Sequence, residues 1–239
     1  MAMRIFLILT FSVVVVFLMV GILLLSSSSS YHNIRDAIAQ QVINTNPKLS
    51  LSSLIQQGSP LLGKSSSAPI TIVEFADFQC HFCDRFAKQT EPQINQTYIQ
   101  TGKVNMVFKH FPIRGVDSKP AAIAAQCTNE QGKFWDFYKL LYDNQGEIDS
   151  GWASKDNLKK FALQLLPALN IQKFNSCFDN QKYKSLVDSD IAFAASLGVR
   201  DVPYFIVVKH DGSSPETLIG AQPFSSFKAV IDKKISEEG

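Results

Sequence analysis

The chain has 239 residues, 46% of them hydrophobic, with 23 lysines and arginines against 21 aspartates and glutamates for a formal net charge of +2. That length holds one elaborated domain plus a membrane element, and so even a charge balance, with no basic stripe set apart from the acidic residues, excludes a nucleic-acid surface. Four cysteines leave disulfide and metal chemistry open.

Ile5 to Leu25 is an unbroken run without a charge, about 30 Å long as a helix, which matches the hydrocarbon core of a bilayer. It reads as one N-terminal transmembrane helix, residues 1–25. A cleaved signal peptide is the competing reading, but its apolar region is usually only about 7–15 residues and no A-x-A site follows Leu25. The positive charges flanking the run, Arg4 and the amine before it and Arg35 after it, nearly balance. The cysteines decide the orientation, since a redox-active pair belongs in an oxidising compartment. The expected location is therefore the cell membrane, single-pass, with the catalytic domain on the extracytoplasmic side. Ser26 to Ser30 is the only low-complexity stretch, no internal repeat is found, and 26–58 reads as a juxtamembrane linker with partial helix.

From residue 59 to 239 the pattern is that of one α/β domain. Leu61-Leu62 is a candidate short strand. Ile70, Ile72, Val73, Phe75 and Phe78 form a buried strand, and Cys83 to Ile99 suits a helix broken or kinked at Pro92. Gly102 closes that helix before a second central strand, Lys103 to His110. Helices are expected near 118–130, 133–145, 155–165, 170–178 and 181–197. Trp135, Phe137, Tyr138, Leu141 and Tyr142 are spaced as the core face of a helix, which fits better than a ligand box. Strands follow over Pro203–Lys209 and Glu216–Gly220 around a turn at Asp211-Gly212, then a helix from Phe224 to Ile235.

The chemistry sits where the first long strand hands over to its helix, at Cys80-His81-Phe82-Cys83. Unsatisfied N–H groups and the positive end of the dipole at a helix start stabilise a thiolate. Two intervening residues bring the two sulfurs within bonding reach, so Cys80 and Cys83 can cycle between dithiol and disulfide. Cys80, expected to be exposed and nearest the positive end, is the nucleophile, and Cys83, more buried, the resolving partner. His81 adds positive charge near the thiolate when protonated, or is a polar rim residue; Phe82 beside it modulates the pair.

The segment VEFADFQCHFCDRF resembles the active-site segment of the DsbA-like thiol-disulfide oxidoreductases of the thioredoxin-fold superfamily. Gly198-Val199-Arg200-Asp201-Val202-Pro203 resembles the stretch ending in that family's cis-proline, and AAIAAQCTNEQGKFWDFYKLLYDNQ its inserted helical domain. The resemblance covers roughly 60–235 and implies a thioredoxin fold with a helical insertion at about 117–198. It implies that Glu74, six residues before Cys80, is a buried acid and proton relay beneath the cysteines, with Lys109 on the neighbouring strand as its partner. It also implies that the Val202-Pro203 bond is cis and offers backbone groups to an extended peptide, where a generic reading has Pro203 simply starting a strand. The family's best-known member carries its histidine next to the second cysteine, so His81-Phe82 departs from that pattern.

Cys127 and Cys177 fall on two inserted helices, and an even total invites a structural Cys127–Cys177 disulfide. Free buried thiols and a four-cysteine zinc site are the alternatives, the latter disfavoured because zinc ligands usually come as two close pairs. No metal and no cofactor are called for. The function implied is introduction of disulfides into unfolded or reduced extracytoplasmic proteins, with reoxidation by a membrane quinone-linked partner, DsbB-like or VKOR-like. A reductase or isomerase and a non-catalytic peptide-binding, chaperone-like module are the alternatives; binding alone does not need paired thiols.

Overall fold

The computed structural model describes residues 54–63 and 68–237. The expected membrane span and nearly all of the expected linker lie outside them; among the described residues no helix is long and apolar enough to cross a membrane. The central strands are β2 (Ile70–Ala76) and β3 (Val104–His110), every residue of both buried. Burial on both faces is why they read as continuous rather than alternating apolar runs. They pair in parallel. On β2's other side β4 (Tyr204–Lys209) runs antiparallel and carries β5 (Glu216–Ile219) outside it, while the two-residue β1 (Leu61–Leu62) edges β3, for the order β1-β3-β2-β4-β5.

Strand parity sorts most of the sheet's core residues into two halves, with Ala76 and Phe108, near the active-site end, joining the larger one. Ile70, Ile72, Val104, Met106, Phe205 and Val207 pack with Phe86 of α1 (His81–Gln89) and Phe227 and Ile231 of α8 (Phe224–Ser236). Val73, Phe75, Val107, Ile206 and Val208 belong to the larger cluster shared with the inserted helices. These are α3 (Ser118–Asn129), α4 (Phe134–Asp143), α5 (Lys155–Leu163), α6 (Ile171–Asp179) and α7 (Lys184–Ser196), close to the spans expected from periodicity. Phe137, Tyr138, Leu141 and Tyr142 of α4 are buried together with Phe134, so the stripe is core, while Trp135, expected on the same face, is only partly buried.

The break expected at Pro92 falls just before it, at Thr90. α1 ends at Gln89 with Thr90 as its cap, whose N–H still reaches the Phe86 carbonyl at 2.9 Å, and the chain restarts as α2 (Glu91–Ile94) followed by a π-helical turn, Asn95–Ile99. Pro92 then sits in the first turn of α2, where its missing N–H costs nothing. At the other end of the domain, Leu54 is fully buried, and the Gly58 carbonyl accepts from Gln126 Nε2 at 2.6 Å and Asn129 Nδ2 at 3.0 Å. Packed structure therefore begins inside the stretch assigned to the linker, because α3 supplies side-chain amide donors to Gly58 and Leu54 joins the larger core cluster. Cys127 of α3 and Cys177 of α6 are joined by a disulfide across 50 residues of sequence.

Candidate active site

Asp77, the residue after β2, builds the turn that presents the cysteines. Its carbonyl accepts from Cys80 N at 3.0 Å and its Oδ1 from Gln79 N at 2.8 Å. Cys80 then stands in extended conformation as the residue capping α1, its own carbonyl taking the first helical bond from Asp84 N at 3.0 Å. Cys83 lies in the first turn on the buried face. Both thiols are free.

Cys80 is not exposed as the sequence suggested: it is 2% accessible, against 0% for Cys83. The loop before β4 covers it. Its Sγ donates to the Val202 carbonyl at 3.3 Å, and the Val202-Pro203 bond there is cis. The two sulfurs nevertheless differ sharply in charge preference. Cys80 is lowered from the 9.0 of a free thiol to about 7, chiefly by a hydrogen bond from Cys83, with the N–H groups of Cys83 and Phe82 and the Arg114 guanidinium helping and burial opposing. Cys83 is pushed well up, first by burial and then by its bond to the Cys80 sulfur and that sulfur's charge. One thiolate, at Cys80, is the ionised state this geometry favours.

His81 does not supply the cation. Its Nδ1 faces Gln145 Oε1 at 3.1 Å and its Nε2 lies 3.6 Å from a Glu147 oxygen, turning the ring toward the inserted helices. The positive group at the sulfur is Arg114, beyond β3. Sequence reasoning missed it, along with Asp77, whose Oδ2 accepts from both Ile113 N and Arg114 N at 2.7 Å. The available signal for Asp77 was a second acid directly after the apolar strand, three residues before Cys80. Phe82 is half-exposed, with the Arg85 guanidinium 4.8 Å from its ring centre; Ile113, Val116 and Ile148 are also exposed, Val116 by 79%.

Glu74 is fully buried, as the resemblance implied, but Lys109 is not its partner. In the sheet Glu74 stands opposite Phe108 and Phe75 opposite Lys109, so the period-2 pleat sends the acid and the lysine to opposite faces. Lys109 Nζ instead pairs with Asp190 Oδ1 on α7 at 2.9 Å, both side chains buried, and Asp190 Oδ2 also accepts from His110 N at 3.1 Å. Among the described residues neither Glu74 oxygen completes a hydrogen bond. Burial therefore holds its carboxyl well above the usual range, with Glu91 and the Cys80 thiolate adding to the rise and the Tyr138 hydroxyl opposing it. Tyr138 and Glu91 also line a cleft of about 420 Å³ beside α1 and α4.

A raised carboxyl pKa in the folded state means that stability is lost as pH climbs from the unfolded value toward the folded one. Glu74→Gln should therefore stabilise the oxidised protein at pH 8, with the gain gone at about pH 3, where wild-type Glu74 is protonated in both states. Denaturant melts at the two pH values check this, and equal stability of the two proteins at pH 8 would refute it.

A parallel-then-antiparallel sheet, a dithiol at the start of the helix after its central strand, and a cis-proline bond against the first sulfur define a thioredoxin-type redox site. A protein-family model described as Thioredoxin matches residues 56–233. The probable disulfide bond formation protein D of Bacillus cereus is 30% identical over 202 residues, covering 84% of this chain and 89% of that protein. Disulfide bond formation protein D of Bacillus subtilis is 27% identical over 184 residues, 75% of this chain and 78% of that one. Among solved structures, alpha-DsbA1 of Wolbachia pipientis is similar with a TM-score of 0.65 and 27% identity, covering 77% of this chain and 96% of its own. The chain belongs to the DsbA-like thiol-disulfide oxidoreductases.

Proposed function

We propose that this protein introduces disulfide bonds into reduced, unfolded proteins on the extracytoplasmic side of the membrane, held there by residues 5–25. The observation that carries the chemistry is the asymmetry of the dithiol: Cys80 is favoured as thiolate while Cys83 is buried and favoured as thiol. The direction is supported by the relatives, which are named for disulfide bond formation.

In the proposed cycle a substrate thiolate attacks Cys80 Sγ of the Cys80–Cys83 disulfide, and Cys83 leaves, taking a proton from the buried, readily protonated Glu74 carboxyl. A second substrate thiolate then attacks the substrate sulfur of the mixed disulfide, and Cys80 leaves as the stabilised thiolate. The substrate loses two electrons to the protein, which passes them to a membrane quinone-linked partner, DsbB-like or VKOR-like, as its disulfide is restored. The exposed Phe82, Ile113, Val116 and Ile148 offer apolar contact suited to unfolded chain. The backbone at Val202, beside the cis bond, suits pairing with an extended segment.

The test compares redox states. A thiolate whose folded pKa lies below its unfolded one stabilises the reduced fold fully above the unfolded value, and that stability is lost as pH falls through the folded one. For Cys80, between 9.0 and about 7, reduced protein should gain about 2 kcal/mol over oxidised protein as pH rises from 6 to 9. The measurement is made in a Cys127→Ala/Cys177→Ala background, which leaves one reducible pair. The reduced form is expected to melt higher than the oxidised form, with a gap that closes toward acid. An oxidised form that melts higher throughout would make the protein a reductase.

A further inference from the structure

The loop after β3 is tied to the turn that carries Cys80. The Ile113 and Arg114 N–H groups both donate to Asp77 Oδ2, while Asp77's carbonyl accepts from Cys80 N. Asp77 is 1% exposed, so this carboxylate is a rigid bracket between the two segments. Starting from a backbone placed that way, the Arg114 side chain reaches the loop before β4. One of its nitrogens ion-pairs with Asp201 Oδ1 and lies 3.5 Å from the Val202 carbonyl oxygen. That same carbonyl is 3.3 Å from Cys80 Sγ. Guanidinium and sulfur thus share one oxygen, and two groups that carry negative charge, the Cys80 thiolate and Asp201, lie around one cation.

We propose that Arg114 is the cation that favours charge on Cys80, adding to the Cys83 hydrogen bond, and that Asp201 limits this effect by competing for the same guanidinium. This rests on the reading of Cys80 as the reactive thiolate. When Cys80 is a thiolate the guanidinium faces two anions. When the sulfur is bonded to Cys83 or to a substrate, that charge is gone and Asp201 is the anion left to hold Arg114. An ion pair of this kind favours the charged sulfur without any proton changing hands, which a histidine in the same place would not do once deprotonated. His81 is committed to Gln145 and Glu147, so the role falls to a residue more than thirty positions away in sequence. The other titratable groups acting on the sulfur are Cys83 of α1, Glu74 of β2 and Tyr142 of α4. None of these is a cation.

Competition makes the two partners differ in sign, which a purely structural part for Arg114 would not. Thiolate ultraviolet absorbance of the reduced full-length protein is titrated with pH for the wild type, Arg114→Met, Arg114→Lys and Asp201→Asn. Asparagine keeps the Oδ1 acceptor that Asp201 offers to Val202 N at 2.8 Å, so the loop retains its bond. The Cys80 midpoint should rise by about one pH unit in Arg114→Met, return most of the way in Arg114→Lys, and fall below wild type in Asp201→Asn. An unchanged midpoint in Arg114→Met overturns the proposal, as does a raised midpoint in Asp201→Asn; the latter decides the matter if Arg114→Met does not fold. Cys80→Ser should abolish the titration step near neutral pH. If it keeps that step, the assignment of Cys80 as the reactive thiolate fails, and the role of Arg114 with it.

Discussion

Replacing Cys83 with serine should abolish catalytic disulfide formation and leave the protein accumulating in covalent complexes with its partners. A Cys80 thiolate attacks a partner's disulfide, one sulfur of that disulfide leaves as a thiolate, and a mixed disulfide through Cys80 results. In the wild type the neighbouring thiol resolves it, helped by an effective concentration that no free thiol matches. Cys83 is suited to that one task by its position in the first turn of α1, fully buried and within hydrogen-bonding reach of the Cys80 sulfur. Serine fills nearly the same volume and cannot take the sulfur. Because Cys80 keeps its N–H donors and Arg114, it stays reactive after the loss of Cys83, so adducts form even though turnover stops. Non-reducing gels of cells expressing the variant should show adducts that dithiothreitol dissolves, and these should vanish in Cys80→Ser/Cys83→Ser. A clean monomer band in Cys83→Ser would remove Cys80 from the role of nucleophile.

The other large effect is structural. Cys127 and Cys177 close a loop of 50 residues, and a cross-link of that span stabilises a fold by about 4 kcal/mol in the chain-entropy model. Cys127→Ala/Cys177→Ala should therefore lower the melting temperature by roughly 10 °C for a domain of this size. Oxidation of a reduced model peptide should proceed at close to the wild-type rate. The reason for the split is position: the bond ties α3 to α6, while Cys80, Cys83, Asp77 and Arg114 lie on the strand ends, α1 and the loop after β3. Lost oxidation at an unchanged melting temperature would move this pair into the redox cycle.

Much of the architecture could be read without coordinates because local rules govern it. The apolar run from Ile70 and the cysteine spacing that follows it determine a buried strand feeding a helix with a dithiol in its first turn. The inserted helices follow from 3.6-residue periodicity, as in Phe137, Tyr138, Leu141 and Tyr142, although the fully buried residue at the start of that stripe is Phe134 and not the expected Trp135. Period alone also separates the sheet's faces, but it does not say which residue stands opposite which. That is a matter of register, decided only when β2 and β3 pair as Glu74 with Phe108 and Phe75 with Lys109. The pairing strands Glu74 without a base and gives Lys109 to Asp190, 81 residues further along the chain.

The charge environment of the sulfur was likewise beyond the reach of local sequence. His81 is adjacent in sequence and turned away, whereas Arg114 and Val202 come from two other loops and meet at Cys80. The burial of Cys80 has the same origin, since it is the loop before β4 that covers the sulfur. The sequence by itself determined that a thiolate would form here, because N–H groups at a helix start are a property of a few consecutive residues. Only the tertiary structure decided what holds that thiolate and what shields it. Coulombic and hydrogen-bonding partners act over a few ångströms of space, and the chain brings those neighbours together only by folding.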